Sequence, residues 1–291
     1  MSSFRMPDPL PLVSFDGTTL ATFELGRADG PVLFLINGLG GNLGAWRFLI
    51  DYYRDQFRIV SFDYRGMYQS ELAKNGDYSM ATHTRDAVAV MDHYGIEDAV
   101  VMGWSMGVQV VLEVYRAVPE RIRGLILTNG AFGRPLDIFP GLKPVARATM
   151  GALARVAPTL RPLARPFLKT TLPLKVLKAV GFLSRHLDED VFLDLAKDFA
   201  ELNFEAYRDC VDALVNHSAE DILERITVPA LILAGGRDLF TPAAFSRTMA
   251  QRIPKARLVN IADASHYAAV EYPGVIISHM ERFFLDYLPQ L

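Results

Sequence analysis

The sequence predicts an α/β fold: a mostly parallel sheet of roughly eight strands, covered by helices on both faces, with a helical lid inserted late in the chain. Three observations predict it. Short apolar runs alternate with longer helix-periodic segments, the order that yields parallel strands joined by crossover helices. The runs are continuously apolar, as strands buried on both faces require. The alternation breaks between Phe132 and about Ala219 and then resumes.

Taken in order, Val13–Phe15 and Thr19–Leu25 flank Asp16-Gly17 and read as an opening hairpin. Pro31–Ile36 reads as a buried strand, Gly44–Arg54 as a helix, and Phe57–Phe62 as a strand ending at Asp63. Ser79–Tyr94 has helical periodicity and meets Gly95, a natural C-terminal cap. Asp98–Met102 is a strand that runs through five residues into the helix starting near Val108. Arg123–Thr128, Ala230–Ala234 and Arg257–Ile261 repeat the strand pattern. The interruption is helical in propensity but broken by Pro135, Pro140, Pro144, Pro158, Pro162, Pro166 and Pro173. The expected division is a core of residues 1–133 and 221–291, with residues 134–220 as a lid that excludes water and shapes a pocket.

Composition bounds the function. At 291 residues the chain fits one to two domains. It can bury about three quarters of its unfolded surface. A net charge of −3 gives no reason to expect nucleic acid as a partner. The single cysteine, Cys210, excludes a disulfide framework and a cysteine metal cluster. No long apolar core of a signal peptide opens the chain, and no stretch has the ~18 uninterrupted apolar residues of a membrane span, so a cytoplasmic location is expected.

The chemistry centres on Gly103-Trp-Ser-Met-Gly107, set between a strand and a helix. A sharp strand-to-helix turn projects a serine hydroxyl above the sheet, and glycines on either side let strand and helix pack closely around a strained residue. Ser105 is therefore the candidate nucleophile. A serine needs a base, and the base an orienting acid. Asp238 and His266 each follow a strand, in the chain order Ser, Asp, His, at the sheet edge where ligands bind. His83, His93, His186, His217 and His279 lie on helices or in the lid and are weaker candidates. Asp63 ends a strand but sits in a turn where it and Arg65 are expected to hold loops together. Asp263 is too close to His266 along one loop. Asn129 offers an amide, which cannot stabilise an imidazolium as a carboxylate does. Asn37-Gly-Leu-Gly-Gly41 follows the predicted strand that ends at Ile36, so the N–H groups of Leu39 and Met106 are the expected oxyanion donors. Leu39, Trp104 and Met106 are expected to contact substrate.

Together, Asn37-Gly-Leu-Gly-Gly41, Asp63-Tyr-Arg-Gly-Met-Tyr-Gln-Ser70, Gly103-Trp-Ser-Met-Gly107, the lid, Gly235-Gly-Arg-Asp238 and Ala264-Ser-His266 resemble the α/β-hydrolase superfamily over nearly the whole chain. The resemblance implies the α/β-hydrolase fold and a serine hydrolase without cofactor or metal. Asn37 ahead of Gly38, where many members have His-Gly, looks like the 3-oxoadipate enol-lactonase branch. Gly-Trp-Ser is similar to pimeloyl-carrier-protein methyl ester esterases and to cofactor-free haloperoxidase-like esterases. Asn129 stands where some members carry an acid, and Arg65-Gly66-Met67-Tyr68 replaces the usual Arg-Gly-His-Gly turn.

The implied reaction is hydrolysis of a small-molecule ester with an apolar acyl group; a lactonase, a carbon–carbon bond hydrolase or a non-catalytic binding protein of this fold are the alternatives. An aspartate would normally stand at Ser105 in a dehalogenase or epoxide hydrolase. From Arg134 to Arg185 ten basic residues face only Asp137. Such a segment suits an anionic membrane surface, an acidic carrier protein or an anionic substrate. From Leu187 to Glu224 the charge reverses, so the two halves of the lid are equally suited to neutralise each other.

Overall fold

The computed structural model describes residues 6–135, 172–179 and 182–289. Its strands are β1 (Leu10–Val13), β2 (Thr19–Gly26), β3 (Val32–Ile36), β4 (Arg58–Phe62), β5 (Ala99–Trp104), β6 (Ile122–Thr128), β7 (Ala230–Gly235) and β8 (Ala256–Ile261). They form one eight-stranded sheet in the order β1-β2-β4-β3-β5-β6-β7-β8. The β1–β2 and β2–β4 pairs are antiparallel, and every pair from β4 to β8 is parallel.

The continuously apolar runs are central because both of their faces are covered. In β3, Phe34 and Ile36 enter one buried cluster with Val108 and Val111, while Leu33 and Leu35 enter the other with Trp46 and Phe283. Successive side chains of a strand point to opposite faces, so a strand between two helical layers needs apolar residues at every position. The covering helices are α1 (Arg47–Tyr53), α2 (Met80–His93) and α3 (Met106–Ala117), then α4 (Leu172–Ala179), α5 (Glu189–Phe199) and α6 (Phe204–Asn216), and finally α7 (Ala243–Arg252), α8 (Ala268–Glu271) and α9 (Pro273–Tyr287). The helix α2 begins where the Ser79 side chain accepts from the Thr82 N–H, and it ends before Gly95, whose φ is +59°.

Between β6 and β7 the chain leaves the sheet. Its outgoing and returning ends meet where the Ala219 N–H donates to the Phe132 carbonyl at 2.7 Å. The helix α6 reaches α2 through Cys210 Sγ, 3.4 Å from Nε2 of His83, both buried. Burial pushes the Cys210 thiol up to about 12 and the His83 imidazole down to about 3, so this is a neutral packing pair and not a reactive one. The helix α5 is held to the loop after β3, where the Asn42 side-chain amide donates to Asp198 Oδ2 at 2.8 Å.

Two segments differ from the sequence expectation. The first strand is Leu10–Val13, not Val13–Phe15, because Ser14 Oγ donates to Asp86 at 2.6 Å and the Arg85 guanidinium lies over the Phe15 ring at 3.4 Å. Those side chains turn the chain away from the sheet. The expected helix Gly44–Arg54 divides into a 3-10 turn, Leu43–Trp46, capped by Asn42, followed by α1.

Candidate active site

Ser105 joins β5 to α3 with φ +58° and ψ −118°. That backbone conformation is unfavourable for a residue with a Cβ, and surrounding packing imposes it. A Cβ on Gly107 would lie 2.3 Å from the Ile36 carbonyl oxygen, and one on Gly103 would lie 2.5 Å from the Gly107 oxygen. Only glycine permits strand and helix to meet so closely on either side of the serine.

His266 Nε2 lies 2.9 Å from Ser105 Oγ, and His266 Nδ1 lies 2.9 Å from Asp238 Oδ2. A carboxylate only accepts, so Nδ1 carries the hydrogen and Nε2 offers its lone pair to the serine hydroxyl. Asp238 is buried and fully bonded. Its Oδ1 accepts the Phe240 and Thr241 N–H groups, each at 2.9 Å. Its Oδ2 accepts Thr241 Oγ–H at 2.7 Å and the Asn129 amide at 3.0 Å. Burial alone would raise this carboxyl, but the facing His266 and these donors outweigh it and hold Asp238 below the usual carboxylate range. The histidine is fixed from a third side, because Trp104 Nε1–H donates to the His266 carbonyl at 2.9 Å.

The loop after β3 lies against the serine. A Cβ on Gly38 would be 3.1 Å from Ser105 Cβ and 2.8 Å from the Trp104 ring. The fully buried amide of Asn37 anchors this loop: its Nδ2–H donates to the Phe62 carbonyl at 2.9 Å, and its Oδ1 accepts Trp46 Nε1–H at 2.7 Å. Among the described residues, no carbonyl takes the backbone N–H of Leu39 or of Met106, the first residue of α3. The N-terminal amides of a helix suit developing negative charge.

Ser105 and His266 open on a cavity of about 480 Å³. Leu39, Trp104 and Met106 line it from the core, while Phe192, Leu195 and Phe199 of α5 and Tyr207, Leu214 and Val215 of α6 close the other side. Among the described residues no lysine or arginine lines it. Gln109, the one side-chain amide among the described wall residues, is turned inward to the protein, donating to the Gly133 carbonyl at 3.1 Å and accepting from His217 Nδ1 at 2.8 Å.

A family model described as alpha/beta hydrolase fold matches residues 31–273. The chain belongs to the alpha/beta hydrolase fold family. Among curated relatives it is 28% identical over 253 residues to 3-oxoadipate enol-lactonase 2 of Acinetobacter baylyi, covering 87% of each chain. It is 26% identical over 259 residues to the pimeloyl-[acyl-carrier protein] methyl ester esterase of Aeromonas hydrophila, covering 88% of this chain and 96% of that one. The solved structure of the enol-lactonase from Burkholderia xenovorans superposes with a TM-score of 0.77 at 25% identity, covering 95% of this chain and all of that one. The chain is thus a hydrolase of the alpha/beta fold.

Within this hydrolase, two further residues support the acid. Asn129 (φ +45°) and Thr241 hold Asp238, and no motif in the sequence marks either for that task. Thr241 is reachable in hindsight, since an aspartate followed by a hydroxyl three residues on is a common local turn. Asp263 pairs with Arg237 at 2.6 Å at the surface, away from His266. Asp63 does not pair with Arg65, which binds Asp16 and Asp86, each at 2.7 Å. Burial instead pushes Asp63 up to about 7, the Gln69 N–H opposes this, and the Asp198 charge adds to it. His217 bridges Gln109 and Glu113 behind the cavity wall, and His186 packs on Tyr272.

Of the basic segment expected in the lid, Lys143, Arg147, Arg155, Arg161, Arg165 and Lys169 lie outside the described residues. Within them, Lys178 pairs with Glu189 at 2.8 Å, a contact between the basic and acidic halves. Among the described residues no helix is long and apolar enough to cross a membrane.

Proposed function

We propose that this hydrolase is a serine carboxylic ester hydrolase acting on small-molecule esters with an apolar acyl group, with residues 134–220 as its lid. The observation that carries the reading is the unbroken chain Ser105 Oγ–His266 Nε2 and His266 Nδ1–Asp238 Oδ2, both links 2.9 Å, opening on an apolar cavity.

In this reading His266 takes the Ser105 proton as the hydroxyl oxygen attacks the ester carbonyl. Asp238 fixes the imidazole tautomer and stabilises its charge, and its own five hydrogen bonds keep it ionised and still. The Leu39 and Met106 N–H groups receive the tetrahedral oxyanion. Collapse expels the alcohol, which His266 protonates, and leaves an acyl group on Ser105. Water, deprotonated by His266, then releases the acid and restores the serine.

The cavity wall supports the choice of acyl group. Burying a carboxylate without a partner costs several kcal/mol, and no described wall residue supplies a cation. A neutral lactone is an ester and fits the same machinery, whereas a ring bearing a carboxylate finds no lysine or arginine among the described wall residues.

Steady-state hydrolysis of p-nitrophenyl esters from short to long acyl chains, with Ser105→Ala alongside, tests the reading. Turnover that the variant loses supports it. Undiminished turnover in the variant, or no ester turnover by the folded wild type, overturns it.

A further inference from the structure

Glu271 is a buried side chain, 4% exposed, that stands outside the Ser105–His266–Asp238 chain yet touches both the residue before His266 and the excursion between β6 and β7. Its Oε2 accepts the Ser265 N–H at 2.7 Å, and its Oε1 accepts Ser265 Oγ–H at 2.5 Å. Oε1 also accepts the N–H of Ser184 at 2.9 Å. Ser265 immediately precedes His266. Ser184 belongs to the excursion between β6 and β7, and its hydroxyl shares a hydrogen bond with Tyr272 at 3.0 Å. These partners of Glu271 are neutral donors, two from Ser265 and one from Ser184, so two loops meet on one buried side chain.

We propose that Glu271 is a positioning residue that couples docking of the segment around Ser184, residues 182–187, to the placement of His266, an inference that rests on the ester-hydrolase reading above. The physical reason is the shortage of donors around a buried carboxylate. With that segment docked, three donors hold the carboxylate and the imidazole stands 2.9 Å from Ser105 Oγ. A displacement of the base by about 1 Å is enough to cost on the order of 100-fold in rate.

The test uses the whole enzyme, with active sites counted by a serine-directed phosphonate so that misfolded protein drops out of the rate. Glu271→Gln keeps the shape but turns one acceptor into a donor. Its kcat per titrated site is expected to fall about 10- to 100-fold with KM changed less than about threefold. Ser265→Ala removes a single donor and serves if Glu271→Gln folds poorly; its kcat per site is expected to fall about three- to tenfold. Hydrogen exchange supplies a readout independent of turnover. In the wild type the phosphonate should slow exchange in the peptide covering residues 182–187, and in Glu271→Gln it should not.

Unchanged kcat per titrated site in both variants overturns the proposal, because a merely structural glutamate alters the number of active molecules and not their rate. Protection of residues 182–187 that is absent in wild type, or equal in the variant, overturns it as well. Full activity of Ser105→Ala would instead overturn the underlying serine mechanism, so the two failures are told apart.

Discussion

Asn129 donates its side-chain amide to Oδ2 of Asp238 at 3.0 Å, the same oxygen that faces Nδ1 of His266. The residue directly follows β6 in a left-handed conformation, φ +45°, which asparagine tolerates better than most side chains. A second bond from the same Nδ2 to the Ser265 carbonyl, also 3.0 Å, ties the acid loop to the histidine loop. The amide therefore supports the carboxylate where a competing acid would have repelled it.

Asn129→Gly isolates this contribution, because glycine keeps the left-handed backbone without strain while removing the amide. Asp238 retains its other donors, so the expected loss in kcat/KM is about tenfold, or roughly 1.4 kcal/mol. Steady-state kinetics on a neutral ester measure it. A variant at wild-type rate would mean that Asp238 needs no help from Asn129. Asp238→Asn should cost far more, on the order of 10⁴-fold in kcat, because the amide favours the wrong imidazole tautomer.

Asp63 and His83 carry opposite pH signatures. Burial pushes Asp63 up to about 7. Between pH about 4 and 7 the folded chain therefore holds a proton that the unfolded chain has released, and stability falls as pH rises. Burial, aided by the charge of Arg65, pushes His83 down to about 3. Between pH about 6.5 and 3 the unfolded chain takes a proton the folded chain refuses, and stability falls as pH falls. From pH about 4 to 6.5 the two slopes, each roughly 1.4 kcal/mol per pH unit, oppose one another. Asp63→Asn removes one of them, so its stability should climb by roughly 3 kcal/mol across that window while the wild type stays nearly flat. Urea unfolding at a series of pH values checks this, and parallel profiles for the two proteins would refute it.

The parts legible in the sequence are those whose signal is local. The strands β3, β5 and β7 announce themselves as continuous apolar runs, and Ser105, Asp238 and His266 each follow a strand end that the runs locate. The structure then brings those three side chains within hydrogen-bond reach. Asn129 carries no local sign of its role, because its contact with Asp238 spans 109 residues and depends on how β6 and β7 pair. Glu271 escaped notice for the same reason: one of its donors lies 87 residues away, in a segment whose prolines hide any period. The first strand was misplaced by a similar effect, since Phe15 is drawn off the sheet by Arg85, a residue of α2.

The cavity wall predicts discrimination by charge. A p-nitrophenyl ester of a six-carbon fatty acid and the corresponding half-ester of a six-carbon dicarboxylic acid are nearly equal in size, but the second carries a carboxylate to the chain end. With no lysine or arginine on the described wall, its kcat/KM should be lower by at least about 100-fold, corresponding to roughly 2.7 kcal/mol of unpaired buried charge. Equal rates would mean that a cation reaches the chain end, and the apolar-acyl reading would fail.

Ser105 should trade stability for function. Its φ of +58° with ψ −118° is held by the close contact of β5 and α3, and such strain typically costs about 1–3 kcal/mol in a residue that carries a Cβ. Ser105→Gly removes both the hydroxyl and the steric source of the strain. Ser105→Ala removes the hydroxyl and keeps the strain. Both should lose at least about 10⁴-fold in kcat, since among the described residues no other nucleophile is hydrogen-bonded to His266 Nε2. Only the glycine variant should gain stability, by about 1–2 kcal/mol, even though glycine elsewhere raises the entropy of the unfolded chain. Denaturant unfolding of the two variants against wild type separates the effects. If alanine and glycine stabilise equally, desolvation of the hydroxyl is the cost that matters, and the backbone at Ser105 stores no strain.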